Sequence, residues 1–308
     1  MKNYLEIGME IIKNPLLLIV KCKSTPLFRW IPDKKYIELY YRAALGKKLN
    51  LDNPKTFNEK LQWLKLYDRK EEYSTLADKY EVREYVLNTL GEQYLVPLVG
   101  GPWERFDDID FSKLPEKFVL KCTHDSGSVF ICKDKSNFDL RHVKKRIDKA
   151  MKKNYFYAGR EWSYKDIKPR IVAEKYMVDE SGYELKDYKI FCFNGIPKMI
   201  QVDYGRFSEH KRNLYTTDWE YIPVEIKYPT DSSYIIPKPI CLDEMLKVAT
   251  VLSKKFIHVR VDLYAIENRV YFGELTFYHG SGCEIITPPE FAYTMGDWMD
   301  ITGGNKNV

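Results

Sequence analysis

The order of helix-like and strand-like segments predicts an α+β protein. In the first hundred residues, apolar residues recur at helical spacing, as at Phe57, Leu61 and Leu64. From about residue 117 onward, short apolar runs are separated by turn residues, which indicates antiparallel strands. We therefore expect a helical N-terminal region, a small α+β unit and a C-terminal antiparallel-sheet domain.

Length and composition agree with this division. The chain has 308 residues, which suggests two domains or one elaborated domain at roughly 100–200 residues per domain. Hydrophobic residues make up 44% and charged residues 30%, which excludes a disordered or fibrous protein. The predicted boundaries are 1–114 for the helical region, 115–178 for the small unit and 179–308 for the C-terminal domain.

Cysteine spacing and hydropathy indicate the compartment. The six cysteines include no C-x-x-C pair, which excludes a common zinc ribbon and a small disulfide scaffold and suits a reducing cytoplasm. The uncharged stretch at 14–20 is shorter than the about 18 apolar residues that span a bilayer. We expect a cytoplasmic protein without a transmembrane helix.

Two helices are predicted in the N-terminal region. Thr56 and Glu59 have the spacing of a capping box, directly before the apolar positions of the first helix. The second helix is expected from about Ser74 to Leu90, because Gly91 provides a stop position. These helices precede the first predicted strand.

The small unit is predicted to be a strand pair, a helix and a third strand. The strands at 117–122 and 129–134 flank the polar turn 124–128. An amphipathic helix follows from Asp139, and the third strand covers 170–177.

Two hairpins are expected in the C-terminal domain. Asn194-Gly195 lies between strand-like segments, which is a hairpin signal. The last hairpin pairs 257–266 with 270–277. Its strands carry several polar residues.

Positive charge is concentrated near the N-terminus. Between Lys13 and Lys48, nine basic residues stand against two acidic ones, whereas the whole chain has a net charge of +5. This basic segment also contains apolar residues, so it is suited to an anionic membrane surface or a lipid-linked glycan. A solvated helical face is the alternative. A nucleic-acid partner is not expected, since the segment contains no RNA-binding sheet motif, zinc finger or heptads.

The loop after Lys121 has the composition of a phosphate-covering turn. Lys121 ends one strand, and Ser126, Gly127 and Ser128 precede the next. Backbone N–H groups of such a loop can fold over phosphates while the ammonium group neutralises them. The alternative is an ordinary surface turn.

The terminal hairpin can bring oxygen ligands together. Strand alternation places Arg260 and Asp262 on one face, and likewise Glu274 and Thr276. If the two faces coincide, the carboxylates suit magnesium that is shared with substrate phosphates. Cross-strand ion pairs on an exposed face are the alternative.

A third candidate region joins the small unit to the C-terminal domain. Glu174 and Tyr176 end a strand whose backbone could bind an adenine edge. Further on, Asp187 could hold ribose hydroxyls and Lys189 a phosphate. An ordinary strand end is the alternative interpretation.

These regions follow one another in an order that resembles the TupA-like ATP-grasp family of surface-polysaccharide and teichuronopeptide biosynthesis. The resemblance extends from about Pro32 to Phe277. It is carried by N-P-K-T-F-N-E-K-L-Q-W-L-K, A-D-K-Y-E-V-R, F-V-L-K-C-T-H-D-S-G, D-Y-K-I-F-C-F-N-G, and V-D-L-Y with G-E-L-T-F. The resemblance implies an ATP-grasp fold in which 115–178 form the lid.

The resemblance also implies roles for individual residues. Magnesium would be held by Asp262 and Glu274. ATP would be bound by two lysines, a mobile Ser/Gly loop, an adenine hinge and a ribose carboxylate. These are Lys79, Lys121, Ser126, Gly127, Ser128, Glu174, Tyr176 and Asp187.

Two positions depart from the pattern of the superfamily. Thr276 stands where Asn is common, and it remains a candidate oxygen ligand for the metal. Tyr278 stands where several members have Arg, so the cation that stabilises the transition state is unassigned. Arg260 and Arg206 are the candidates.

The implied activity is an ATP-dependent ligase that activates a carboxylate as an acyl phosphate and joins it to an amine. The acid would be a small molecule or glycan, and the product a decorated surface polysaccharide or its precursor. Alternatives are a kinase, a nucleotide-binding protein without turnover, and a glycosyltransferase that uses Asp108-Ile109-Asp110. His124 and His279 lie near the proposed loops, where surface or packing roles are the simpler interpretation.

Overall fold

The computed structural model describes residues 16–23, 25–179, 182, 185–205 and 209–302. Its helices are α1 Leu17–Lys21, α2 Asp33–Leu45, α3 Phe57–Tyr67, α4 Glu72–Ala77, α5 Val82–Thr89, α6 Leu140–Met151, α7 Phe156–Gly159, α8 Leu242–Ser253 and α9 Glu290–Asp297. Its strands are β1 Leu98–Trp103, β2 Phe118–Cys122, β3 Val129–Cys132, β4 Ile171–Lys175, β5 Asp187–Phe193, β6 Ile196–Tyr204, β7 Lys211–Tyr215, β8 Tyr221–Ile222, β9 Glu225–Ile226, β10 His258–Ile266, β11 Arg269–Thr276 and β12 Ile286–Thr287. The predicted α+β class is confirmed.

The capping box at the start of α3 is confirmed. The Thr56 side chain accepts a hydrogen bond from the Glu59 backbone N–H, and the Glu59 carboxylate accepts one from the Thr56 backbone. These bonds satisfy two of the orphan N–H groups at the helix start. Phe57 and Leu61 are buried and pack in the main core with the C-terminal sheet.

The single helix predicted over 74–90 is wrong, because the chain leaves the helix at Asp78. The backbone of Asp78 is extended, and its carboxylate accepts hydrogen bonds from the N–H groups of Tyr80 and Glu81. An Asp in this role favours a turn over a continuous helix. The interruption separates α4 from α5.

The first sheet has the order β1-β4-β2-β3 and is antiparallel throughout. Phe118 and Leu120 are fully buried on the face that packs with Val143 and Ile147 of α6. Strand β1 joins this sheet although it precedes the predicted boundary at residue 114. The domain boundaries stay a prediction.

The second sheet has the order β11-β10-β5-β6-β7-β8. One face packs on α8, with Ile190 and Val261 fully buried in the main core. The predicted Asn194-Gly195 hairpin is present: both residues have positive φ, at 48° and 80°, as a type I′ turn requires. The other face of this sheet carries the charged side chains of the candidate site.

The basic segment forms α1 and α2 in its described part. Tyr36 and Tyr40 are buried in a small cluster with Ile19. By contrast, Leu27 and Trp30 are 53% and 80% exposed. No helix in the described part of the chain combines the length and apolar character needed to cross a membrane.

Candidate active site

A cleft of about 480 Å³ lies between the first sheet and β10. We call it the apolar cleft, since aliphatic side chains form most of its wall. It is lined by Val96, Val119, Lys121, Val129, Ile131, Lys133, Glu174, Lys175, Tyr176, Met177, Val178, Leu185 and Tyr264.

Strand alternation explains the apolar wall. In β3, Phe130 and Cys132 are buried toward α6, so Val129 and Ile131 point to the other face of the sheet. Val129 and Ile131 are 43% and 45% exposed, although they are apolar. Exposed aliphatic side chains inside a cleft are suited to cover a flat apolar ligand group.

Lys121 and Glu174 form an ion pair within this cleft. Their side chains are on adjacent strands β2 and β4, and Nζ lies 2.5 Å from Oε2. Burial lowers the pKa of Lys121, but the attractions of Glu174, Tyr264 and Glu274 together outweigh burial and the net shift is upward. Glu274 contributes to the same upward shift, so the cation is close to the terminal hairpin as well.

A second cavity of about 510 Å³ adjoins the terminal hairpin. We call it the charged cavity. Its lining combines cations, carboxylates and tyrosines from widely separated segments. It includes Lys23, Ser126, Tyr155, Glu161, Tyr164, Arg212, Lys227, Arg260, Glu274, Thr276, Tyr278, His279, Ser281, Cys283 and Glu284.

The register of β10 and β11 makes the two polar faces coincide. Arg260 lies opposite Thr276, and Asp262 lies opposite Glu274. A bulge follows at Gly273, where a Cβ would lie 3.0 Å from the backbone oxygen of Asp262. The two candidate metal carboxylates therefore project side by side from neighbouring strands.

Arg260 connects these side chains. Its Nε and one terminal nitrogen donate to the Asp262 carboxylate at 2.6 and 2.5 Å, a bidentate pair. The same terminal nitrogen lies 3.1 Å from Thr276 Oγ1 and 3.5 Å from Glu274 Oε1. Burial raises the pKa of Asp262, and the Arg260 guanidinium opposes that rise.

Lys79 lies between the Ser/Gly loop at 124–128 and the terminal hairpin. Its Nζ donates to the backbone oxygen of Asp125 at 2.6 Å and lies 3.6 Å from Glu274 Oε2. The preceding residue is held by Arg170, which donates to the Asp78 carboxylate at 2.9 Å. In the loop itself, Gly127 has φ +110° and a Cβ there would meet nothing within 4 Å.

A closed ring of charged contacts forms the floor of the charged cavity. Lys189 connects its two sides, since Nζ lies 3.5 Å from Asp203 and 4.0 Å from Asp262, and it also pairs with Asp187. The Arg260–Asp262 contact lies within β10, and every other contact in the ring joins neighbouring strands or involves the loop after β11. The members in order are Arg260, Asp262, Lys189, Asp203, Arg212, Glu284 and His279.

His279 is buried in this ring, a placement that its sequence spacing did not reveal. Its Nδ1 lies 2.6 Å from a terminal nitrogen of Arg260. Because that nitrogen can only donate, Nδ1 is the acceptor and Nε2 carries the proton. Nε2 lies 3.0 Å from Glu284, while burial lowers the pKa of His279 to about 4. A neutral imidazole thus orients Arg260.

The loop after β11 is held by polar side chains of α3. Asn58, Gln62 and Lys65 are buried at i, i+4 and i+7, so they share one face of the helix. All three donate to backbone oxygens of residues 281–284. These bonds fix Ser281, whose φ of 56° is unusual for a residue other than glycine. Polar residues at helical spacing among buried apolar ones could have predicted this support.

The predicted site residues fall into four groups in the structure. The apolar cleft holds Lys121, Glu174 and Tyr176. The charged cavity holds Ser126, Arg260, Glu274 and Thr276. Lys79, Gly127 and Ser128 lie at or in the loop between them, and Asp187, Lys189 and Asp262 form part of the floor. Arg206 lies outside the described residues. The functional roles of all these residues stay predictions.

The structure has an ATP-grasp architecture. Two sheets enclose a cleft, next to a Ser/Gly loop and to a hairpin that carries the carboxylates of Asp262 and Glu274. The family model described as TupA-like ATPgrasp matches residues 59–300. The chain belongs to the TupA-like ATP-grasp family, and the predicted family and fold are confirmed. No curated protein shows significant similarity to the sequence.

Solved structures show distant likenesses. A D-alanine–D-alanine ligase from Bacillus anthracis complexed with ATP is 16% identical, with a TM-score of 0.39 over 66% of this chain and 55% of that chain. An L-amino acid ligase from Bacillus licheniformis is 13% identical, with a TM-score of 0.40 over 89% and 57%. The chain spans 55–63% of the first ligase structures it matches. At TM-scores below 0.5, these likenesses do not bear on its activity.

Proposed function

We propose that the protein is an ATP-dependent ligase that joins a carboxylate to an amine. The observation that carries the proposal is the adjacency of the two cavities. Strand β10 joins them, since Tyr264 lines the apolar cleft and Arg260 of the same strand lines the charged cavity. A nucleotide can therefore place its base in one cavity and its phosphates at the entrance to the other.

The apolar cleft suits the adenine and ribose. Val129 and Ile131 offer aliphatic surface to the base, and the chain at Tyr176 lies next to it, directly after the end of the inner strand β4. Lys121 and Lys79 then offer ammonium groups toward the phosphates. Ser126 and Gly127 are exposed in the loop above them, as a phosphate cover requires.

The donor set of the terminal hairpin fits magnesium. Mg²⁺ is commonly held by one or two carboxylates together with substrate phosphates. Glu274 and Asp262 supply such oxygens, and the Glu274 side chain is one-third exposed. The described residues contain no group of three His, Cys, Asp or Glu side chains that would form a complete metal site by themselves. Bound magnesium would neutralise charge on the phosphates.

The reaction begins when a substrate carboxylate attacks the γ-phosphate of ATP, which gives an acyl phosphate and ADP. Arg260 projects into the charged cavity and is the described cation best placed to stabilise the transferring group. Tyr278 cannot serve, since burial holds its pKa well above the usual range and the phenol stays neutral. An amine then displaces the phosphate to form an amide. Positioning of the reactants can supply about 7–11 kcal/mol of the barrier.

The proposal is tested with a panel of uronic acids and amino acids. ADP release that depends on the acid and on hydroxylamine, with formation of a hydroxamate, is expected. Heavy oxygen in the substrate carboxylate should appear in inorganic phosphate, whereas a kinase would leave the label in its product. Glu274→Gln should abolish turnover, and Asp108→Ala should not. Absence of acid-dependent ADP release across the panel would contradict the proposal.

The finer substrate assignment is also a proposal. The acid is a uronic acid or an amino acid, and the product is an amide-bearing surface polysaccharide or its lipid-linked precursor. Support comes from the family resemblance and from the basic segment, where exposed Leu27 and Trp30 lie beside exposed Arg29, Lys34 and Lys35. Aromatic and basic side chains together favour an anionic membrane surface.

Vesicle sedimentation tests this peripheral contact. The protein should sediment with vesicles that contain phosphatidylglycerol and remain in solution with neutral phosphatidylcholine vesicles. Trp30→Ser should weaken sedimentation severalfold. Ile240→Ser is the matched control, because Ile240 is 84% exposed outside the basic segment. Equal sedimentation of both variants would contradict the membrane contact.

A further inference from the structure

A buried carboxylate lies in the wall of the charged cavity without an assigned role. Glu161 follows α7 and is only 8% exposed, yet it lines the cavity together with Arg260 and Glu274. In the described part of the chain, no ion pair uses Glu161, and Lys65 and Lys23 attract it only at longer range. A buried charge of this kind is costly unless it is compensated or used.

Ser281 and Lys65 support this carboxylate. Lys65 donates all three of its N–H groups, to Gly159 O at 2.8 Å, Ser281 O at 2.8 Å and Ser281 Oγ at 2.9 Å. The Ser281 oxygen is thereby occupied as an acceptor, so its hydroxyl proton is available to Glu161, with which it bonds. The chain Lys65–Ser281–Glu161 holds the carboxylate in place from one side.

Two tyrosines lie between Glu161 and the terminal hairpin. Tyr155 and Tyr164 line the cavity, and the phenol of each interacts electrostatically with both Glu161 and Glu274. The Tyr155 hydroxyl also bonds to Ser126 of the phosphate-covering loop. A small group held at Glu161 is therefore within the same cavity as the transferring phosphate.

We propose that Glu161 binds the incoming amine as its ammonium form and accepts a proton from it, an inference that rests on the proposed ligase function. The ligand class of this subsite is a primary amine that is protonated in water. The other two carboxylates of the cavity wall already have cationic partners: Glu274 pairs with Lys79 and Arg260, and Glu284 pairs with Arg212 and Lys227. Among the described residues, Glu161 is thus the wall carboxylate without an ion pair.

The ammonium group gives one proton to the Glu161 carboxylate and becomes a neutral amine with a free electron pair. Its nitrogen forms a bond to the acyl carbon, and the bond between that carbon and the phosphate oxygen breaks. The second nitrogen proton leaves with inorganic phosphate. Glu161 afterwards returns its proton to solvent.

Two small amines separate proton removal from the rest of the reaction. At neutral pH ammonium is protonated, whereas hydroxylamine is largely neutral and needs no base before attack. Glu161→Gln in the full chain should lower amide formation from ammonium chloride at least tenfold, since general bases contribute about 10²–10⁴-fold. Hydroxamate formation from hydroxylamine should change less than about threefold. Both assays use the carboxylic acid from the panel with which the native enzyme forms a hydroxamate.

Asp166→Asn is the matched control. Asp166 is exposed in the same connection between α7 and β4, so both amines should react at the native rate. Normal hydroxamate formation by Glu161→Gln also shows that the variant is folded and still makes the acyl phosphate.

Several outcomes would overturn the inference. For Glu161→Gln, these are an equal loss of activity with both amines, or no loss of amide formation with ammonium. For the native enzyme, the contradicting result is activity with hydroxylamine but with neither ammonium nor any protonated amine of an amino-acid panel. A native enzyme that forms no hydroxamate with any acid would instead contradict the proposed function itself.

Discussion

The apolar cleft and the charged cavity adjoin each other but are built in different ways. The cleft is formed largely by the first sheet, whose strands point alternate side chains such as Val119 and Ile131 to one side. The charged cavity draws on α2, the segments on either side of α7, three strands of the second sheet and the loop after β11, which α3 supports. The wall of the apolar cleft thus follows from the alternation of side chains along neighbouring strands, whereas the charged cavity depends on the packing of segments that are far apart in the sequence.

The largest effect is expected for Arg260→Lys in the charged cavity. Lysine keeps the charge but cannot reproduce the bidentate bond to Asp262 or the contact with His279. We expect kcat to fall about 10²–10³-fold, as for loss of other preorganised donors. The Kd for ATP should change less than threefold. A parallel loss of ATP affinity, measured by calorimetry, would contradict the assignment of ATP binding to the apolar cleft and of catalysis to the charged cavity.

Lys65→Met should destabilise the protein, because Lys65 holds the loop after β11 in the wall of the charged cavity. The change removes donors to Gly159 and Ser281 in a fully buried position. Unsatisfied buried carbonyls should cost about 2–3 kcal/mol of unfolding free energy, measured in urea. Lys70→Met, just beyond α3 and half-exposed, should cost less than about 0.5 kcal/mol. Equal effects of the two changes would show that the loop does not depend on Lys65.

Acid should destabilise the core beneath the charged cavity. Burial lowers the pKa of His258 to about 3. Between about pH 6.5 and 3, this histidine is therefore protonated in the unfolded state but stays neutral in the folded state. The contribution of His258 to stability is fully present above that range and falls by about 1.4 kcal/mol per pH unit within it. His258→Asn should flatten this dependence in urea titrations from pH 7 to 5. An unchanged slope would contradict the buried neutral histidine.

A change in the apolar cleft should affect binding alone. Ile131→Asp places a carboxylate on the exposed aliphatic wall, and the KM for ATP should rise about tenfold, about 1.4 kcal/mol, while kcat stays the same. Ile196→Asp is the control, since Ile196 is 54% exposed in the β5–β6 hairpin. Loss of kcat in Ile131→Asp would contradict the assignment of the cleft to the base.

The smallest effect is expected at the D-x-D sequence. Asp108 and Asp110 are exposed in the connection between β1 and β2, and Asp110 caps a short turn at Ser112. Asp108→Ala should leave ligase turnover within twofold of native in the ADP-release assay. Loss of turnover would revive the glycosyltransferase alternative.

The sequence predicted those parts that depend on local pattern. Strand alternation correctly paired Arg260 with Asp262 and Glu274 with Thr276, but only the register of the structure shows that the two faces coincide. The capping box at Thr56 was also predicted correctly. The break at Asp78 was missed because the interruption depends on a side-chain bond and on pairing of Lys79 with Thr123.

Other parts could not be predicted from local patterns. The Arg212–Glu284 contact of the ring joins residues 72 positions apart, and the place of Glu161 in the wall depends on Lys65 and Ser281, about 100 positions away on either side. No spacing rule connects such positions. Only the helical spacing of Asn58, Gln62 and Lys65 offered a usable signal.

A crystal structure with a nonhydrolysable ATP analogue and magnesium would show whether one nucleotide occupies both cavities. We expect adenine to lie against Val129 and Ile131 in the apolar cleft, and the terminal phosphate to lie beside Lys79, Arg260 and Glu274. A nucleotide bound elsewhere, or one whose phosphates point away from the charged cavity, would contradict it.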